Sequence, residues 1–397
     1  MRPSLGACLA MDTQSTVTSK TSLTLDMPPS CMQFCPSDPT CFLVGTYNLH
    51  QQDDQNALVG APQGRDGSLI VFRIDDDQLI KVQTVLQPSA LLDLRFHPQQ
   101  RDHPGVLAVV SSTGTLAIFC LGPTLDPTAP LRHLATSRCE DLADDVLFLQ
   151  CDWHPVLRDL IAVTTSTGLA RLLHLDEEWK IRGFTDLDIR NSLEAWSIVW
   201  SPSTAALGGN EEYFSVYCGG DDSLLRYTSC SSNLEIPYRP VTVKGHHDAG
   251  VTAILPLSLQ AADDGRLVVT GSYDDHLRVF AIRDLDQSQG TRRMRLVCEK
   301  KLGGGVWRLG LVDARLRGDG LWRVRILASC MHAGTRLVEL ASETDGLRWS
   351  CTIVARFEEH KSMNYASDCV ATSDGRGLRC VSASFYDKLL CLWEHRG

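Results

Sequence analysis

A small-residue turn that recurs every 52 to 58 residues, apolar alternating segments on both sides of it, and no segment patterned as a layer-forming helix predict an all-β chain, closed as a seven-bladed β-propeller. The turn falls at Thr113, Thr167, Asp222, Asp274, His332 and Asp387. Around it one unit repeats: an alternating strand, a Pro turn, an apolar strand, the small-residue turn, and another alternating strand. The clearest copy runs from Val251 to Phe280, with Leu267-Val268-Val269-Thr270-Gly271-Ser272-Tyr273-Asp274 at its centre.

The remaining copies follow in order. The first runs from Gln33 through Val44-Gly45-Thr46-Tyr47 to Phe72, the second from Leu92 to Phe119, and the third from Gln150 to Leu173. Ser197 to Arg226, Val306 to His332 and Ala366 to Trp393 supply the others. The repeat is longer than the roughly 40–45 residues of a common WD unit. The surplus is assigned to loops around Leu121–Asp145, Ala281–Leu302 and Ala341–Asn364. One twisted sheet cannot bury both of its faces alone, so blades must stack and the ring must close. The alternating segment Thr21-Ser22-Leu23-Thr24-Leu25 is the expected closing strand. Residues 1–20, rich in Ser and Thr, are expected to be a flexible tail, and 21–397 a single WD40-type propeller. WD features survive at Gly245-His246 and Trp393, and Asp274, Ser272 and His246 read individually as blade braces.

Composition narrows the function classes. The 397 residues carry a formal charge of −10, and no basic stripe suggests nucleic acid as a partner. Arg292-Arg293-Met294-Arg295 reads as a solvated loop. No apolar run reaches signal-peptide or membrane-spanning length, so no membrane association is expected. The 15 Cys lie without a framework of spacings, many inside apolar runs, which fits a reducing, cytoplasmic or also nuclear, compartment. Cys31, Cys35 and Cys41 lack the spacing and His partner of a zinc site, so no metal is expected. A monomer is expected.

Nucleophile-elbow, Walker A, HExxH and Rossmann signatures are absent from the sequence, and Gly303-Gly304-Gly305 reads as a tight turn into a strand. The turn sequences are more specific as an ordered set. Gly45-Thr46-Tyr47-Asn48-Leu49, Gly219-Gly220-Asp221-Asp222-Ser223-Leu224-Leu225-Arg226 and Thr270-Gly271-Ser272-Tyr273-Asp274-Asp275-His276 come first. Gly304-Gly305-Val306-Trp307-Arg308, Cys330-Met331-His332-Ala333-Gly334, Ser384-Phe385-Tyr386-Asp387 and Leu392-Trp393-Glu394 follow. This series resembles the diphthine methylesterase family of WD-repeat proteins, from about Val44 to Trp393. The sequence departs from the family pattern at Thr228, where a Trp often stands.

The resemblance implies removal of the methyl ester from methylated diphthine, a modified histidine of translation elongation factor 2. Diphthine and methanol would result, ahead of the final amidation to diphthamide. Ester hydrolysis needs an activated water or nucleophile and donors for the oxyanion. His332, placed where other blades carry Asp or Thr, and Asp274 are the catalytic candidates. Each also reads as a simple turn residue. Diphthine carries a trimethylammonium, which calls for aromatic faces and negative charge. Asp222, Tyr273, His276, Trp307, Arg308, Tyr386 and Asp387 are the substrate-binding candidates. Cys330 is a weaker candidate nucleophile. No cofactor is expected. The rival readings are a non-catalytic scaffold in ubiquitin ligation or vesicle traffic, and a reader of a modified tail peptide.

Overall fold

Each repeat but the last folds as a four-stranded antiparallel meander, because consecutive alternating segments joined by short turns pair with their nearest neighbours in sequence. The structure is a computed structural model, and it describes residues 15–50, 64–124, 126–202, 213–263 and 265–396. Every regular element among the described residues is a β-strand. Blade 1 comprises Pro29–Cys35, Asp38–Thr46, Arg65–Asp75 and Gln78–Gln87; blade 2 comprises Leu91–Phe96, Val106–Ser111, Thr115–Leu121 and Leu131–Arg138. Blade 3 comprises Phe148–Trp153, Leu160–Thr165, Ala170–Leu175 and Ile181–Leu187; blade 4 comprises Ser197–Trp200, Tyr213–Gly219, Leu225–Ser231 and Val241–Val243. Blade 5 comprises Val251–Gln260, Arg266–Ser272, His276–Ile282 and Met294–Lys301; blade 6 comprises Arg308–Leu316, Trp322–Ser329, Thr335–Ser342 and Trp349–Phe357. Blade 7 takes Asn364–Ala371, Gly377–Ser384 and Leu389–Arg396 from one end of the chain and Ser19–Thr24 from the other. This is the seven-bladed β-propeller that the repeat spacing implies.

The first strands pack against one another around a central channel. Separate hydrophobic clusters fill the interfaces between adjacent blades. Leu43 and Val71 of blade 1 meet Leu94 and Leu107 of blade 2, and Val269 and Leu277 of blade 5 meet Ile326 and Val338 of blade 6. Phe42 and Phe72 of blade 1 meet Leu390 and Leu392 of blade 7, so the last interface depends on joining the two chain ends.

The expected closing segment pairs antiparallel with the last strand: Thr21 faces Leu392 and Leu23 faces Leu390. Strand structure begins earlier than residue 21, however. Ser15–Val17 runs parallel to Ala355–Phe357 of blade 6, and Ser19 donates its amide to Glu359 at 2.9 Å. These residues are held through backbone pairing and one carboxylate, which their Ser/Thr composition does not reveal. Residues 1–14 of the expected tail lie outside the described residues.

Two further expectations change. The supposed loop surplus contains the fourth strands Leu131–Arg138, Met294–Lys301 and Trp349–Phe357. Leu131–Arg138 and Met294–Lys301 are outer edges with one wet face and a weak hydrophobic pattern, and Trp349–Phe357 is flanked on its outer side by Ser15–Val17. In blade 5 the brace is His247, whose Nε2 lies 2.9 Å from Thr270, whereas His246 packs edge-on against Phe280. Blade 7 keeps the fuller WD arrangement: Trp393 Nε1 donates to Ser382 Oγ, and His360 bridges Ser382 and Ser384.

Candidate functional site

The start of the first strand is irregular in blade after blade, and this irregularity builds the channel mouth. Register slips by one residue at Pro29/Cys31, Leu91/Asp93, Phe148/Gln150, Val251/Ala253 and Asn364/Ala366. The residue skipped in such a bulge is free to aim differently from the pleat. Ser30, Leu92, Leu149 and Tyr365 occupy skipped positions and border the mouth. Trp196 and Trp307 stand in the equivalent place, directly ahead of the first strands of blades 4 and 6. A second tier of aromatic residues comes from the turn after the second strand: Tyr47, Tyr273, Phe385 and Tyr386.

Together they enclose a cavity of about 650 Å³. Its rings form a connected wall. Trp307 lies 5.2 Å from Trp196, 6.0 Å from Tyr273 and 4.9 Å from Tyr365, centroid to centroid. Phe385 continues the wall at 5.5 Å from Tyr365, with Tyr386 5.1 Å and Tyr47 6.0 Å further on. Asp221 backs this wall, accepting a 2.6 Å hydrogen bond from Trp196 Nε1. Burial pushes its carboxyl above the usual range, and the indole N–H opposes that shift. Aromatic faces with a carboxylate behind them suit an organic cation.

Below the mouth lies an inner cavity of about 250 Å³, bordered by Asp93, Arg95, Arg308 and Asp368. The channel side chains also stitch the first strands together. Asp368 accepts the Phe34 amide, Gln33 accepts that of Phe96, and Asp152 accepts that of Trp200, each bond joining one blade to the next.

Of the sequence-derived candidates, Tyr273, Trp307, Arg308 and Tyr386 converge on the mouth. Asp222, Asp274 and Asp387 do not border it. Asp222 pairs with Arg226 and Asp274 with Arg278, both at 2.8 Å. Although burial opposes ionisation, these arginines help hold both carboxyls below their usual range. Asp387 accepts from the Lys361 amide and the Ser362 hydroxyl. All three brace turns. His276 Nδ1 lies 2.6 Å from the Asp274 carbonyl oxygen, and His332 is exposed on its turn; neither borders the cavity. Cys330 does not suit a nucleophile: it is fully buried, and burial pushes its thiol up to about 12.

Sequence reasoning missed Trp196, Tyr365, Asp221 and Phe385. The signal was available for the first two, since Ala195-Trp196-Ser197 and Asn364-Tyr365-Ala366 match Val306-Trp307-Arg308 in position within the repeat. No group of three or more potential metal ligands occurs among the described residues.

No protein-family model matches the chain. It is similar to a Schizosaccharomyces pombe protein named diphthine methyltransferase, 28% identical over 93% of this chain and 95% of the relative. A Dictyostelium discoideum diphthine methyltransferase homolog is 23% identical over 93% of this chain and 97% of the relative. The Homo sapiens diphthine methyltransferase is 24% identical over 91% of this chain and 74% of the relative. Among solved structures, Chaetomium thermophilum Sqt1 bound to the N-terminus of ribosomal protein L10 superposes with a TM-score of 0.58. That match has 12% identity and covers 96% of this chain and 100% of the other. At that identity the likeness establishes the propeller fold and nothing finer.

Proposed function

We propose that this chain acts in diphthamide biosynthesis as a diphthine methylesterase. It would hydrolyse the methyl ester of methylated diphthine on elongation factor 2, releasing methanol and leaving the diphthine carboxylate. The observation that carries this reading is the aromatic mouth, where Trp196, Trp307 and Tyr273 form one wall and Trp196 holds the Asp221 carboxylate behind it. A quaternary ammonium has no N–H to donate, so π faces and a nearby negative charge are its natural partners. The names of the relatives supply the diphthine part of the reading.

Those names specify methyl transfer, whereas hydrolysis is favoured here by the groups under the mouth. Arg308 borders both cavities, and carboxylates lie beside it in the inner one. A guanidinium that polarises a carbonyl and a carboxylate that activates water are the parts ester hydrolysis requires. The test is purified protein with elongation factor 2 carrying verified methylated diphthine, and no methyl donor or redox cofactor added. The modified peptide should lose the mass of one methylene as methanol appears in equal amount. An unchanged peptide, or mass gain on the unmethylated form when a sulfonium methyl donor is supplied, refutes the reading.

A further inference from the structure

Arg308 and Tyr365 border both the aromatic mouth and the inner cavity, so a group seated in the mouth can pass its far end to the channel wall. Two carboxylates on that wall have different partners. Asp93 is 3% exposed, lies 3.3 Å from Arg95 Nε and 3.7 Å from Arg308 Nη2, and accepts the Cys151 amide. Its charge is compensated and its orientation fixed. Asp368 is half-buried and accepts the amides of Phe34 at 2.7 Å and Cys369 at 2.8 Å, one on each oxygen. Each oxygen keeps a second lone pair. Among the described residues, no Lys or Arg forms an ion pair with it. Burial raises it to about 6, against the two amide donors and the more distant charge of Arg95.

The substrate's covalent structure makes the connection. In methylated diphthine the quaternary nitrogen and the ester carbonyl share one carbon, so a cation on the Trp307 ring carries its ester two bonds away. Arg308 is the next residue, and its guanidinium carbon lies 5.3 Å from the centre of that ring. The ester therefore falls within reach of Arg308 and above the inner cavity.

We propose, on the hydrolase reading above, that Asp368 is the general base for the attacking water and Arg308 the donor that stabilises the oxyanion. Asp93 is then a positioning residue that holds Arg308. The water oxygen bonds to the ester carbon while one of its protons passes to the Asp368 carboxylate, and the carbonyl electrons move onto the oxygen facing Arg308. Collapse breaks the bond to methoxide, which takes the proton from Asp368 and leaves as methanol. The product acid ionises, and Asp368 is again a carboxylate.

The other titratable or charged groups on this wall or packed directly behind it are Cys31 of blade 1, Asp93 and Arg95 of blade 2, Cys151 and Asp152 of blade 3, Arg308 of blade 6, and Tyr365 and Cys380 of blade 7. Asp152 is also raised by burial to about 6, so the pH profile must be read together with variants. With wild-type protein, kcat should rise with pH through about 6 and level off, because the base works only when ionised. Asp368→Asn keeps an acceptor for Phe34 but loses the base. Its kcat should fall about 100-fold or more with KM within about threefold, and the limb near pH 6 should disappear. Asp368→Glu should recover part of the rate and an acid limb, which separates loss of chemistry from loss of folding. Arg308→Ala should lose about 100-fold in kcat and be partly rescued by added guanidinium.

Asp368→Asn turning over within threefold of wild type overturns the assignment alone. So does an acid limb abolished by Asp152→Asn but kept by Asp368→Asn, or a turnover lost in folded His332→Ala and retained in Asp368→Asn. A wild-type protein that releases no methanol overturns the hydrolase reading and this assignment together.

Discussion

Replacing Trp307 by alanine removes the ring that touches three others, Trp196, Tyr273 and Tyr365, at 5.2, 6.0 and 4.9 Å. An ammonium over an aromatic face gains about 0.5–2 kcal/mol, more where water is excluded. Aromatic pairs add about 0.5–1.5 kcal/mol each to holding neighbouring rings in place. Losing the cation contact and loosening the rest of the wall together should cost about 2–3 kcal/mol of binding, a rise in Kd of about 30–150-fold. The backbone of blade 6 should tolerate the change, since the Trp307 amide donates to the Ser329 carbonyl whatever the side chain. Calorimetric titration with two peptides tests the reasoning. One carries the trimethylammonium, and the other carries a neutral quaternary carbon of the same shape. Wild-type protein should prefer the cation by about tenfold or more, and Trp307→Ala should bind both weakly with most of that preference gone. Equal wild-type affinity for the two peptides would show that the mouth reads shape rather than charge. An unchanged Kd in Trp307→Ala would remove the mouth from the binding site altogether.

Two predictions concern stability. Deleting residues 1–24 strips the outer strand from blade 7 and uncovers Leu390 and Leu392, so Tm should fall by about 5–10 °C; a melting curve matching the intact chain would show that Ser19–Thr24 does not close the ring. His97, His154, His247 and His360 are buried, and burial lowers each to about 4 from a usual value near 6.5. Between those values the unfolded chain binds the extra protons, so stability is present above about pH 6.5 and is lost as pH falls toward 4, by roughly 1.4 kcal/mol per histidine at pH 5.5. Chemical denaturation at pH 7.5 and 5.5 measures the difference, and equal midpoints would contradict the buried neutral state of these rings.

The fold was legible because ring geometry repeats in the sequence. Turn residues such as Thr167, Asp222 and Asp274 return at nearly constant intervals, and the buried second and third strands are apolar on both faces. Fourth strands such as Met294–Lys301 were not, since an edge with one wet face carries half the signal. The site was legible only in part, and the reason is distance from the channel. The turn after the second strand lies one to two strand spacings, roughly 5–10 Å, outside the first strand that lines the channel. A histidine or aspartate there ends at the rim, as His332, Asp274 and Asp387 do, whereas the longer rings of Tyr273 and Tyr386 reach the mouth. Asp221 and Asp222 differ by one residue, yet one meets Trp196 and the other Arg226, a choice made by peptide orientation in the turn. Asp368 gave no signal at all. Ser367-Asp368-Cys369 reads as an ordinary strand segment, and its carboxyl becomes unusual only when ring closure brings blade 1 and the Phe34 amide against blade 7. Residues at the start of the first strand therefore report on the site more directly than the conspicuous turn motifs, because they need no reach to line the channel. Trp196, Trp307 and Tyr365, at equivalent positions in three blades, are the sequence's clearest trace of the mouth.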